Sequence, residues 1–111
     1  MKKFLVLYRA PASSFAQMKT ATPEQQKAGM DAWMAWSKKS ASSIVDMGGP
    51  LGKSLVVSEA SATPAGNDFG GFSILQAESK EALADALKGH PHFALPAATI
   101  EIVEVMAIPG M

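Results

Sequence analysis

The residues that most restrict this chain are at its two ends. From Lys3 to Tyr8, aromatic and aliphatic side chains occupy both alternating positions, with Phe4, Val6 and Tyr8 on one side and Leu5 and Leu7 on the other. Successive side chains of a strand point to opposite faces, so such a strand is covered on both sides. The stretch from Thr99 to Ile108 repeats the message with Ile100, Ile102, Val103 and Val105, and predicts a long final strand. A sheet that holds both strands has two faces to keep from water.

Between these ends the helix signals are local. Thr22-Pro23-Glu24-Gln25 offers a cap, a proline for the first helical position and a glutamine to close a capping box, so a helix is predicted to about Ser40. Met30, Trp33, Met34 and Ala41 fall on its apolar stripe, with Trp36 near the margin. Ser79 caps a second helix, with Ala82, Leu83, Ala84 and Leu87 as its narrow apolar face and Gly89 at its C′ position. Ile44 to Met47 and Leu55 to Ser58 read as a kinked strand or short hairpin around Gly48-Gly49-Pro50, and Gly71 to Ala77 as a further strand. Ala10 to Ala21 carries no periodic signal and reads as a loop or a short irregular turn of helix, while Glu59 to Gly70 reads as a loop.

The order is β-α-β-β-α-β, an α+β ferredoxin-like pattern in which two helices cover one face of a four-stranded antiparallel sheet. With 111 residues, the chain is read as a single domain spanning 1–111. The uncovered face is too apolar for water, and a second identical sheet is its simplest cover, so a homodimer is expected.

Several function classes are excluded by composition. Ten basic and ten acidic residues cancel, and Arg9 is the sole arginine, so no nucleic-acid footprint exists. No apolar run has membrane-spanning length, and the run at the N-terminus is too short for a signal peptide, which makes a cytoplasmic location the expectation. The absence of cysteine removes thiolate metal sites, and His-Pro-His offers at most two ligands, so no metal and no cofactor is expected. There is no phosphate-cradling glycine loop, nucleophile elbow or dinucleotide fingerprint.

Gly70-Gly71-Phe72-Ser73-Ile74-Leu75-Gln76-Ala77-Glu78-Ser79-Lys80-Glu81-Ala82-Leu83, Gly89-His90-Pro91-His92-Phe93 and Thr99-Ile100-Glu101-Ile102-Val103-Glu104-Val105-Met106 together resemble the YCII-related family. Weaker support comes from the first strand and from Asp46-Met47-Gly48-Gly49-Pro50-Leu51. The resemblance implies a dimeric α+β barrel and small-molecule chemistry, including lyase-type dehydrochlorination of ring-cleavage products by a His/Asp pair. The sequence departs from the family at the early helix position of that histidine, which holds Glu24, Gln25 and Gln26, and it lacks the DGPF motif of one branch.

His90 and His92 are the acid/base candidates, since imidazole titrates near neutrality; the alternative is that they satisfy carbonyls at a helix end. Asp46, at a strand end, is either a carboxylate partner for a histidine or a turn residue. Tyr8 and Arg9 could orient a small anionic ligand, and the tryptophans, Trp33 and Trp36, are either core or a stacking platform. Glu101 and Glu104 fall on opposite faces and are not a paired-carboxylate site. Phe93 is expected to anchor inward, which places His92 at a cleft with Asp46 or Tyr8 in reach and His90 nearer solvent. The expected function is cofactor-independent lyase or isomerase chemistry with a histidine acid/base; the alternative is a non-catalytic ligand-binding or accessory dimer.

Overall fold

A computed structural model describes residues 1–110. The chain runs β1 (Lys2–Arg9), α1 (Ala12–Lys19), α2 (Pro23–Lys39), β2 (Ile44–Pro50), β3 (Ser54–Val57), β4 (Ala62–Ala65), β5 (Phe69–Ala77), α3 (Lys80–Ala86) and β6 (Thr99–Glu104). Four strands form one sheet in the order β2-β5-β1-β6, with every pairing antiparallel, and β3 and β4 pair separately as a hairpin. With the hairpin set aside, this is the ferredoxin-like arrangement read from the element order.

Register explains the core. Phe4, Val6 and Tyr8 of β1 stand opposite Leu75, Ser73 and Gly71 of β5, while Val6 and Tyr8 stand opposite Ile102 and Ile100 of β6. All of these point to the helical side, where Phe4, Val6, Tyr8, Leu75, Leu83 and Leu87 form the buried cluster and Trp33, Trp36, Ile44, Ile100 and Ile102 pack around it. The other face carries Leu5, Leu7, Phe72 and Ile74, which are half-buried, while α2 and α3 pack against the inner cluster through Trp33, Trp36, Leu83 and Leu87.

The caps behave as their residues dictate. Thr22 Oγ1 accepts from the Gln25 amide at 3.1 Å while Gln25 Oε1 accepts from the Thr22 amide at 3.0 Å, closing the capping box of α2. Ser79 accepts from the Ala82 amide at the start of α3. Only Leu83 and Leu87 of the predicted apolar face are buried there, and the helix ends at Leu87, leaving Gly89 two residues beyond the cap with φ +75°.

Several expectations are corrected. Of the two alternatives for Ala10 to Ala21 the helical one holds, and as a regular two-turn helix, α1: it has no side-chain N-cap and buries Ser14, whose hydroxyl donates to the Pro96 carbonyl. The expected loop from Glu59 to Gly70 contains β4 and the start of β5, because the Leu55-Val56-Val57 run needs an antiparallel partner and finds it at Ala62–Ala65. The final strand stops at Glu104, not Ile108. Met30 and Met34 are exposed, since α2 meets the sheet through its tryptophans alone.

Candidate functional site

Three segments meet above the end of β1. Tyr8 is carried inward by the alternation of the strand. Trp33 and Trp36, one helical turn apart on α2, project to the same place. After α3, Gly89 takes the left-handed conformation that glycine adopts without penalty, and Pro91 starts a 3-10 turn, Pro91–Ala94, that swings both histidines in beside them.

The result is a ring cluster. Tyr8 stacks on His90 at 5.2 Å between ring centroids and meets His92 edge-on at 5.5 Å. Trp33 and Trp36 approach His90 at 4.5 Å and 4.4 Å, both edge-to-face, and Trp33 also meets Tyr8 at 5.0 Å. Tyr8 donates its hydroxyl to Ser73 Oγ at 3.0 Å, and Ser73 donates onward to the Met47 carbonyl at 2.7 Å. Burial raises the Tyr8 phenol above its ordinary value, with the Ser73 hydrogen bond opposing in part.

Tautomers follow from the partners. His90 Nδ1 accepts the His92 backbone N–H at 2.9 Å, so a neutral His90 carries its proton on Nε2. That Nε2 is buried with no hydrogen-bond partner. Burial, and then the charge of His92, lower the His90 pKa to about 4, so the ring is neutral at physiological pH. His92 Nε2 lies 2.9 Å from the Arg9 carbonyl, and because a carbonyl only accepts, this nitrogen is the donor. In the neutral ring Nδ1 then keeps the lone pair.

Of the residues singled out in the sequence, Tyr8, Trp33, His90 and His92 come together as side chains. Both histidines are buried, at 2% and 4% exposure, and Phe93 is 46% exposed. The expected order of Phe93 inward and His90 outward is therefore reversed: the space between Tyr8 and the two tryptophans is filled by His90. Arg9 contributes only its carbonyl; its guanidinium turns away, donating through Nε to Asp68 and through Nη1 to Glu101, each at 2.8 Å, and lying 5.5 Å from the Phe69 ring. The hydrogen bond from Arg9 holds the Asp68 carboxyl below its usual value. Asp46 is exposed at an irregular stretch of β2, where it accepts the Gly48 amide at 2.8 Å and, among the described residues, bonds to neither histidine. Ser73 was not singled out, although it is at an inward position of its strand, and Trp36 was expected only near the margin of the apolar stripe.

Two grooves lie elsewhere: one of 410 Å³ beside α1, and one of 180 Å³ between α3, Phe93 and β6. Neither is lined by a histidine. Among the described residues no group of three or more His, Asp or Glu side chains could hold a metal ion, and no helix is long and apolar enough to cross a membrane.

Among solved structures, the fold is similar to 5-chloro-2-hydroxyhydroquinone dehydrochlorinase (TftG) from Burkholderia phenoliruptrix AC1100 in complex with 2,5-dihydroxybenzoquinone, with a TM-score of 0.50 and 19% identity over 91% of each chain. At that identity the likeness establishes a shared α+β architecture. No protein-family profile and no curated protein sequence matches the chain.

Proposed function

We propose that this chain is a single YCII-related domain, works as a homodimeric α+β barrel, and moves a proton on a small anionic metabolite by cofactor-independent lyase or isomerase chemistry. The observation that carries the reading is the commitment of His92 Nε2–H to the Arg9 carbonyl. A backbone acceptor on one ring nitrogen fixes the tautomer and leaves Nδ1 as the proton acceptor, the arrangement a general base needs. His90 adds a neutral N–H without a partner, suited to stabilise an oxyanion if Trp33 or Trp36 moves aside.

In this scheme His92 Nδ1 removes a proton from the carbon beside a carbonyl and the electron pair moves onto the carbonyl oxygen. A lyase then expels a leaving group with its bonding pair from the neighbouring carbon; an isomerase returns the proton elsewhere. The similar structure supports the lyase branch by its name as a dehydrochlorinase and by the small ring compound it binds.

Dimerisation rests on the other face of the sheet, where Leu5, Leu7, Phe72 and Ile74 lie side by side, and on the exposed Leu55, Val56 and Val57 of the hairpin. The chain is only 20 Å thick in its shortest dimension, and its radius of gyration of 15.7 Å exceeds the roughly 13 Å of a compact domain of about 100 residues. A second sheet against that face would restore ordinary compactness.

The test is deuterium exchange into small keto acids and hydroxyquinones, followed by NMR for the wild type and His92→Asn, with thermal shift reporting binding. Exchange by the wild type, lost in His92→Asn while binding persists, is the expected result. Equal exchange by both proteins, or none by either, rejects His92 as the base. The accessory-dimer reading has one observation in its favour, that neither groove is lined by a histidine; binding without exchange in the wild type would establish it.

A further inference from the structure

The larger groove is a separate feature from the ring cluster. Its floor and sides come from α1, from Gly52, Lys53 and Ser54 at the start of β3, and from Asn67 and Phe69 at the entry to β5. Its 410 Å³ falls within the roughly 300–1,000 Å³ typical of small-molecule sites.

Its two aromatic walls are the rings of Phe15 and Phe69. A Cβ built on Gly70 would meet the Phe15 ring at 2.3 Å, so that ring occupies space any side chain at position 70 would need. The Phe69 ring has the Arg9 guanidinium 5.5 Å from its centroid, and that guanidinium is itself fixed by Asp68 and Glu101. Both rings are half-buried.

The polar lining is one-sided in charge. Lys19 and Lys53 border the groove, no carboxylate does, and neither lysine is ion-paired with a described residue. Asn67 is oriented by accepting the Phe69 amide at 2.9 Å and donating to Ser54 Oγ at 2.8 Å, which leaves one N–H of its side-chain amide uncommitted. Two phenyl rings, two unopposed ammonium groups and a spare amide donor select for a planar apolar body with a negative group at its edge.

We propose that this groove binds a small aromatic carboxylate, its ring against Phe15 and Phe69 and its carboxylate toward Lys19 and Lys53. The site is independent of the histidine chemistry proposed above. Its shallow, open form makes it a weak site, read best by direct titration.

Benzoate is the probe, titrated into the 15N-labelled chain, with benzamide as the uncharged control and cyclohexanecarboxylate as the non-aromatic one. Saturable shifts should concentrate on the amides of Phe15, Lys53, Asn67 and Phe69. The Lys19→Gln, Lys53→Gln double variant, altered only at exposed side chains, should weaken binding about tenfold, as should replacing benzoate by benzamide. His92→Asn should leave the titration unchanged, which separates this site from the base assignment. No saturable shift at millimolar benzoate, shifts centred on Trp33 and His90, or undiminished affinity in the double variant would each overturn the proposal.

Discussion

The backbone N–H of His92 donates to Nδ1 of His90 at 2.9 Å, so one histidine holds the other in its neutral form and directs the remaining proton into a pocket of aromatic rings. Protonating His90 would break that bond and place a charge against Tyr8, Trp33 and Trp36.

Stability should therefore fall with acid. The folded His90 pKa is near 4, below the unfolded value of about 6.5, so the unfolded state binds more protons between these limits. The contribution is complete above about pH 6.5 and shrinks as pH drops, by about 2 kcal/mol at pH 5 and about 3 kcal/mol once both states are protonated. Urea unfolding at pH 7 and pH 5 measures it. His90→Phe, whatever its baseline stability, should flatten the slope; an equal slope in the variant would assign it to another group.

Two glycine substitutions should rank differently. Gly48 has φ +70°, and a Cβ there would lie 1.9 Å from the Phe72 carbonyl oxygen, a backbone atom of the central strand β5. Gly70 has an ordinary φ and faces the tip of the Phe15 ring, which can swing away. Gly48→Ala should cost about 2 kcal/mol or more, and Gly70→Ala less, by thermal unfolding. The reverse ranking would mean that Phe15 is the more rigid neighbour.

Removing either end of the Tyr8–Ser73–Met47 chain should also be asymmetric. Tyr8→Phe deletes one donor and leaves Ser73 still bonded to the Met47 carbonyl, for a loss of about 1 kcal/mol. Ser73→Ala strands the buried Tyr8 hydroxyl as well as the Met47 carbonyl, for about 2 kcal/mol. Equal losses in chemical denaturation would show that water replaces the serine.

A dilution series by light scattering should report a dimer that Ile74→Lys converts to monomer, because the charge would sit at the middle of the apolar sheet face opposite Leu5. A monomeric wild type at micromolar concentration would end the barrel reading.

Where the information was local, the chain alone was enough. The Thr22 box, the Ser79 cap and the alternation of Phe4, Val6 and Tyr8 each involve residues within a few positions of one another, and they determine the α+β order and the four paired strands. Strand β3 was legible in Leu55 to Ser58, but α1 showed only as a loop or a short turn and β4 left no such trace. The helix depends on Ser14 reaching the Pro96 carbonyl, 82 positions away, and β4 is extended because β3 lies beside it. The candidate site shows the same division. Residue type marked His90, His92, Tyr8 and Trp33, but which histidine filled the space between Tyr8 and the tryptophans was decided by the turn at Gly89 and by the space left between β1 and α2. Arg9 went the other way for the same kind of reason: the inward alternation that buries Tyr8 points its neighbour to the opposite face, where Asp68 and Glu101 hold it. Periodicity assigns each residue a side of its own element, and only packing between distant elements decides what that side meets.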